Sequence, residues 1–391
     1  MQSSPGFPWA MRHVTNASLY KDCVDSQTVL LLVKERLEEL KTKPLFGLVR
    51  LFIKREPHKL NKIEEKRYRL ISSVGIVDQI IGQILFRPLD EFELDNYHQL
   101  PVKVGMTTTN GDLFKVMSWL GKGPYVDIDK SAWDWTLPDW LFDMHAEVRA
   151  KLFEKFGQFE LATIVRNYYK ALMQPYFCLS SGEVFRLPFP IQLSGGVSTL
   201  SDNSRSSLFL RLVYERMCGR AIDYHLVIAL GDDTNEVIPP NLDHYLNWLR
   251  DQGLATKVSK PTCSLFDLEF CSRHLVWMGS GHGHIFTSYK KQIWNFIKVA
   301  MRHADASIRA QSAESLLSNL CCDEVNFSRV SKLIEYYVGR GEILGFQIPT
   351  REQLVELATG CGDKNLLDSH ATEKKASEEA SPEEGPPECA V

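Results

Sequence analysis

The sequence predicts a mixed α+β fold organised on antiparallel strands, with an acidic tail outside the core. Three observations predict it. Helix-like and strand-like runs intermingle with no internal repeat. Two β-rich runs, His225–Leu230 and Asn235–Ile238, flank Gly231-Asp232-Asp233-Thr234, so the chain turns back there instead of crossing over. Asp363–Val391 sets eight acids against three lysines, with almost no large apolar residue after Leu367. Such a segment buries too little surface to offset its ordering entropy and is expected to be disordered.

At 391 residues, 44% hydrophobic and 24% charged, the chain has ordinary globular composition. It is long enough to fold without disulfides or structural metals. Nine cysteines, none spaced as C-x-x-C, point to a reducing compartment. No apolar run of about 18 residues predicts a spanning helix. MQSSPGFPWAMRH lacks the charged-then-apolar order of a signal peptide.

In chain order, Thr28–Leu40 has helical apolar spacing with a charged face. Leu48–Ile53 and Tyr68–Ser72 read as strands around a basic loop, and Val77–Phe92 as an amphipathic helix. Pro124–Asp129 is a short strand ending in a carboxylate. Pro138–Phe156 is helical, its proline suited to the first turn. Tyr176–Phe185 predicts a hairpin turning at Ser180-Ser181-Gly182. A long helix follows over Val197–Arg216, and Tyr289–Tyr337 is mostly helical.

Charge is unevenly placed. Between Arg50 and Arg69 eight basic residues face three acids, in a chain of formal net charge −4. Such a stripe suits a polyanion channel more than a sticky surface, though charge alone also fits, and better, a solvated charged hairpin.

Chemistry concentrates in three carboxylates: Asp129 at a strand end, and Asp232 and Asp233 at a hairpin tip. Adjacent strands would bring them together. Clustered carboxylates repel and need compensating cations. Hard oxygen ligands select Mg²⁺ or Mn²⁺. Two such ions could activate an attacking hydroxyl and stabilise a leaving pyrophosphate. Neither acidic pattern decides alone, since a G-D-D triplet arises by chance in about one chain in fifteen of this length. The segment Ser194-Gly195-x3-Thr199-x3-Asn203-Ser204 is more specific. Its chance frequency is about one chain in two thousand. Thr199 and Asn203, four apart, share one helix face.

With these elements in this order, the sequence resembles the RNA-dependent RNA polymerases of positive-strand RNA viruses, and within them the sobemovirus and polerovirus group. Ser4-Pro5-Gly6-Phe7-Pro8 is similar to their motif G and Lys54–Ile71 to motif F. DIDKSAWDW is similar to motif A, Ser194–Ser204 to motif B and LGDD to motif C. Leu254–Lys260 falls where motif D lies, and Phe270-Cys271-Ser272-Arg273 resembles motif E.

The resemblance implies a right-hand polymerase: fingers over 1–120, a palm with an antiparallel sheet over 121–279, a helical thumb over 280–362 and a disordered acidic tail over 363–391. A fingers segment interleaves near 150–190. It implies that Asp129 and Asp232 hold two Mg²⁺ or Mn²⁺ ions with Asp233 assisting. Asp134 and Asn203 would sense the ribose 2′-hydroxyl, beside a loop carrying Ser194 and Gly195, with Thr199 positioning Asn203. Arg69 would lie over the triphosphate with Lys54, Lys62 and Arg67 nearby. Ser4, Gly6 and Pro8 would border the template, and Cys271 and Ser272 the priming strand end. The implied partners are an RNA template, a nascent strand and ribonucleoside triphosphates. A genome-linked protein primer and other viral replication proteins are compatible with it, although no primer segment is present. The implied location is host cytoplasm, in a membrane-associated replication complex.

Three departures qualify the resemblance. His58 stands where related enzymes often carry arginine, so its charge depends on pH. Lys257 and Lys260 are both candidates for the general acid that protonates pyrophosphate, Lys257 slightly favoured. Met1 lies almost on motif G, which implies one product of a larger polyprotein or frameshifted frame, or a truncated chain.

Other readings are weaker. A reverse transcriptase would share the palm acids, but the Asp134–Asn203 pair argues against it. An inactive RNA-binding scaffold would not need complete metal carboxylates. His282-x-His284 with Cys271 and His274 matches no structural zinc spacing, and nearby glycines suggest a loop. Cys321-Cys322 is expected within a helix. Trp119, Trp133, Trp135 and Trp140 are expected mainly as core or groove-wall residues.

Overall fold

The computed structural model describes residues 3–54, 56, 60–302, 305–343 and 345–360. The expected tail, and His58 with Arg55 and Lys59, lie outside the described residues. The chain divides into two compact units. Of the described residues, the first comprises those up to Gly105 and Trp119–Cys263, the second Met106–Ser118 and those from Ser264 on.

In chain order the first unit begins with α1 (Asn16–Lys21), α2 (Cys23–Leu40), β1 (Val49–Ile53), α3 (Leu60–Glu64), β2 (Leu70–Ser73) and α4 (Ile76–Asn96). The short α5 (Asp112–Met117) belongs to the second unit. The first resumes with β3 (Tyr125–Ser131), α6 (Trp133–Thr136), α7 (Asp139–Lys155), α8 (Phe159–Leu172), β4 (Tyr176–Cys178) and β5 (Val184–Arg186). It ends with α9 (Thr199–Met217), β6 (Val227–Leu230), β7 (Asp233–Val237), α10 (Leu242–Asp251) and β8 (Ala255–Val258).

Two sheets result. One is ordered β2-β1-β4-β5 and the other β6-β7-β3-β8. The first is antiparallel except for a short parallel β1–β4 pairing, and all pairings of the second are antiparallel. Val126 and Ile128 of β3, Leu141 and Phe142 of α7, Leu210 and Tyr214 of α9, and Tyr245 and Leu249 of α10 form one buried cluster. It fixes those helices against the sheet by apolar burial. A second cluster joins α2, β1, α4 and α8 through Val29, Val33, Leu51, Ile81, Leu85 and Tyr168.

Several boundaries shift from expectation. β3 continues to Ser131 because β8 pairs with Ile128 to Ser131, so Asp129 lies within the strand and not at its end. Asp233 pairs with Leu230 as the first residue of β7, leaving Gly231-Asp232 as a two-residue turn. Pro138 precedes its helix as the N-cap, its backbone still extended.

The second unit contains β9 (Glu269–Phe270), β10 (Arg273–Trp277), β11 (His282–Phe286), α11 (Tyr289–Arg302), α12 (Ala306–Leu320), α13 (Glu324–Gly339) and α14 (Arg351–Thr359). Its core includes Phe296, Ala300, Leu316, Leu317, Val330 and Ile334. His282 and His284 lie in β11, paired with Trp277 and Leu275, and not in a loop; the turn occupies the preceding glycines. Cys321 and Cys322 are buried, but α12 stops at Leu320 and Cys321 is its C-cap. Among the described residues no helix is long and apolar enough to cross a membrane.

Candidate active site

The antiparallel register builds the acidic centre. β3 pairs with β7 through Asp127↔Asn235. Continuing that register by two residues sets Asp129 level with Asp233, beside the Gly231-Asp232 turn. Side chains alternate across a strand, which leaves Asp129, Asp232 and Asp233 exposed while Ile128, Lys130 and Thr234 are buried. Gly231 makes the turn at φ +69°, where a side chain is disfavoured.

Asp129 and Asp232 open into a cleft of about 1090 Å³. Its walls also carry Lys54, Lys62, Arg67 and Arg69 from the basic segment, and Asp134, Trp135, Ser194, Thr199, Asn203 and Lys257. Residues far apart in sequence thus share one surface. Lys260 and Asp233 are not among the lining residues, nor are Ser4, Gly6 and Pro8. Those three lie near the start of α4, where Ile76 N donates to Pro5 O at 2.8 Å. Cys271 and Ser272 belong to the second unit, forming a two-residue turn between β9 and β10 with φ of +52° and +60°.

After β3 the chain bends at Ala132, φ +56°, into the single turn of α6, which carries Asp134. Asn203 Nδ2 donates to Asp134 Oδ1 at 3.4 Å. Burial raises the Asp134 pKa, and Asp232 adds to it; Asn203 and Arg69 oppose the rise. Asn203 Oδ1 is buried and finds no hydrogen-bond partner among the described residues.

The loop before α9 is tied to β2. Ser72 N donates to Ser194 Oγ at 3.1 Å, and Ser194 N to Ser72 Oγ at 3.1 Å. A Cβ on Gly195 would collide with the Ser72 carbonyl, so only glycine permits this approach. Thr199 Oγ1 donates to Leu193 O at 2.6 Å and Gly196 O at 2.9 Å, which closes the loop at the helix start.

On the basic wall, Lys54 Nζ lies 3.0 Å and Arg69 Nη1 3.1 Å from the two oxygens of Glu56. Burial works to raise the Glu56 pKa, but Lys54 and Arg69 outweigh it, and the carboxyl is held low. Arg67 pairs with Glu65. Across the acids, Lys257 is in register with Asp129, its Nζ 3.7 Å from Oδ2, with both side chains mostly exposed.

Sequence reasoning missed what lies beneath. Lys130 is fully buried behind the carboxylates and donates to Thr234 Oγ1 at 2.9 Å. Burial lowers its pKa, against the upward pull of Glu236, Asp232, Asp129 and Asp233. Alternation along β3 was the available signal, because the residue after an exposed Asp129 must face inward. Also missed was a polar network around α9, where Ser201 to Ser207 are all buried. Asp202 accepts from Arg149 at 3.0 Å, Arg205 at 2.7 Å and Tyr169 at 2.8 Å. Arg205 also pairs with Glu93 at 3.0 Å and Arg149 with Asp90 at 2.9 Å. Ser204 accepts from Gly231 N at 2.8 Å, linking this helix to the acidic turn. Of the tryptophans, Trp133 is buried, Trp140 donates to Gln252 at 3.0 Å and Trp119 to Tyr224 O at 3.1 Å. Trp135 is partly exposed on the cleft wall.

The donor chemistry fits divalent ions. Asp129 and Asp232 offer hard, exposed oxygens at the edge of an open cleft, with Asp233 alongside, the set that Mg²⁺ and Mn²⁺ take.

Known proteins resemble the chain in sequence and in fold. The family model for viral RNA-dependent RNA polymerases matches residues 1–331. The chain is 31% identical over 325 residues to the replicase polyprotein P2AB of Southern bean mosaic virus, covering 75% of this chain and 32% of that one. It is 27% identical over 324 residues to the RNA-directed RNA polymerase of Mushroom bacilliform virus, covering 75% and 74%. Protein P1-P2 of Potato leafroll virus is 30% identical over 253 residues, covering 60% and 22%. The chain thus spans about a third or less of the two longer relatives. The solved Sicinivirus 3Dpol RNA-dependent RNA polymerase shares the fold, with a TM-score of 0.68 at 18% identity over 90% of this chain and 76% of that one. With a family match across most of its length, a shared fold and these carboxylates gathered in one cleft, the chain belongs to the viral RNA-dependent RNA polymerases.

Proposed function

We propose that this polymerase replicates and transcribes a positive-strand RNA virus genome by template-directed transfer of nucleotides from ribonucleoside triphosphates to an RNA 3′ end. The observation that carries the proposal is the shared cleft, which joins Asp129 and Asp232, Asp134 and Asn203, and the cations of the basic segment. Asp129 and Asp232 would hold two Mg²⁺ or Mn²⁺ ions, with Asp233 assisting. When bound, such ions activate an attacking hydroxyl and neutralise charge on the leaving pyrophosphate.

The remaining work falls to this chain's residues. Arg69, Lys54, Lys62 and Arg67 grip triphosphate oxygens; the planar fork of arginine suits that task. Positive charge there also opposes charge growing in the transition state. Asp134 and Asn203 sense the ribose 2′-hydroxyl, whose single hydrogen one of their oxygens accepts, a bond that a deoxynucleotide cannot form. The Ser194–Gly195 loop lies beside the incoming base pair. Of the two candidate lysines we assign Lys257, which lines the cleft, as donor of the proton to pyrophosphate.

The test is extension of a short RNA primer–template by the purified chain, with ribonucleotides and Mg²⁺ or Mn²⁺, against a chelator control. Template-dependent extension abolished by chelation is expected. Extension with deoxynucleotides at equal efficiency would contradict the ribonucleotide assignment.

A further inference from the structure

Two hydroxyls of α9 hold the backbone of the residue immediately before Asp232. Ser204 Oγ accepts from Gly231 N at 2.8 Å and donates to Leu200 O at 2.7 Å. Ser207 Oγ donates to Gly231 O at 3.4 Å. Both serines are completely buried. Gly231 is therefore held at its N–H and at its C=O by one helix. It is also the residue whose left-handed φ of +69° makes the turn.

The spacing has a consequence. Ser204 follows Asn203 directly, and Ser207 lies one turn further along. Asn203 faces Asp134 while its neighbour holds Gly231. The rest of α9 cannot slide, because Asp202 and Arg205 are locked to Arg149, Tyr169 and Glu93. One rigid helix thus sets the sugar-facing amide and the Asp232 turn in a single register.

We propose that Ser204, supported by Ser207, is a positioning residue that aims the Asp232 carboxylate at a divalent ion. This rests on the metal-dependent reading given above. Removing the Ser204 hydroxyl strands a buried Gly231 N–H, which must seek another partner by tilting the turn. Mg²⁺ tolerates such tilt poorly, because it demands near-ideal ligand geometry.

The experiment compares the full chain with Ser204→Ala, Ser204→Thr and Ser207→Ala. Binding of Mn²⁺ alone to each is read by electron paramagnetic resonance, which needs no catalysis. Ser204→Ala is expected to weaken Mn²⁺ binding about tenfold, the effect of one buried hydrogen bond. In primer extension its Mg²⁺ midpoint should rise by a similar factor, while the nucleotide KM at saturating metal stays within about twofold. Ser204→Thr, which keeps the hydroxyl, should restore both. Ser207→Ala, losing a longer bond, should shift both in the same direction by about two- to threefold, and it carries the test if Ser204→Ala does not fold. Unchanged Mn²⁺ binding in either alanine variant that folds would overturn the proposal, as would a loss that Ser204→Thr leaves unrepaired. An inactive parent chain that nonetheless binds Mn²⁺ would count against the polymerase reading alone, since positioning is still read from binding.

Discussion

Replacing Asn203 with alanine should weaken the preference for ribonucleotides, and the structure sets the size of the effect. Asn203 meets Asp134 through a long hydrogen bond of 3.4 Å. Its own Oδ1 is buried with no partner among the described residues. An incoming 2′-hydroxyl can donate to that oxygen or to Asp134. One such hydrogen bond contributes roughly 0.5–1.5 kcal/mol when neutral and 1.5–3 kcal/mol when one partner is charged. Both ranges bear on this site, since burial raises the Asp134 pKa and Asn203 is the first influence holding it down. Removing Asn203 takes away one acceptor and weakens the other by favouring its protonation. The expected loss is about 1–2 kcal/mol, a fall of roughly 5- to 30-fold in discrimination. Single-nucleotide incorporation measures it, as the ratio of kcat/KM for ATP to that for dATP. The fall should come mainly from slower ATP incorporation, because dATP never used the lost acceptor. A ratio within twofold of the parent chain would refute this reasoning and place sugar sensing elsewhere.

Two further predictions concern the polar network under α9. Asp202→Ala leaves the buried Arg149 and Arg205 without their shared carboxylate. It should cost at least about 3 kcal/mol in urea unfolding, as for other broken buried pairs, and a loss below about 1 kcal/mol would contradict a structural role for the network. His145, buried beside Ser206, has its pKa lowered to about 3, by burial first and then by Arg205 and Arg149 against the pull of Asp202. A depressed folded-state pKa means stability that is full above the unfolded value of about 6.5 and is lost as pH falls toward about 3. His145→Gln should therefore flatten the fall in Tm between about pH 6.5 and 4.5; an equally steep fall in the variant would place the titrating group elsewhere.

Much of the site was legible because its chemistry is local in sequence. Asp129 to Asp134 span a strand and one helical turn, and Gly231-Asp232-Asp233 announce a hairpin. Ser194 to Ser204 carry loop, glycine and helix face together. What brings these pieces into one cleft is strand register, which depends on partners far away in the chain. The extension of β3 to Ser131 required β8, a four-residue strand too short to signal itself. Lys130 reads as a surface charge until alternation from Asp129 is followed inward. The run Ser201 to Ser207 consists of residue types that are mostly exposed in folded proteins, so nothing in it signals burial. It is buried because Glu93, Arg149 and Tyr169, from three other helices, satisfy it. The β10–β11 hairpin was read as a loop because glycines surround His282, yet the five paired residues keep a regular ladder.

If Asp232 acts through a bound divalent ion in RNA synthesis, Asp232→Ala should lose synthesis while keeping the RNA. Both proteins are assayed on an RNA primer–template with ribonucleotides and Mg²⁺. The parent chain should extend the primer and the variant should not, while both bind the RNA with equal affinity, because the basic wall is intact. Extension retained by Asp232→Ala would show that the ion is held elsewhere.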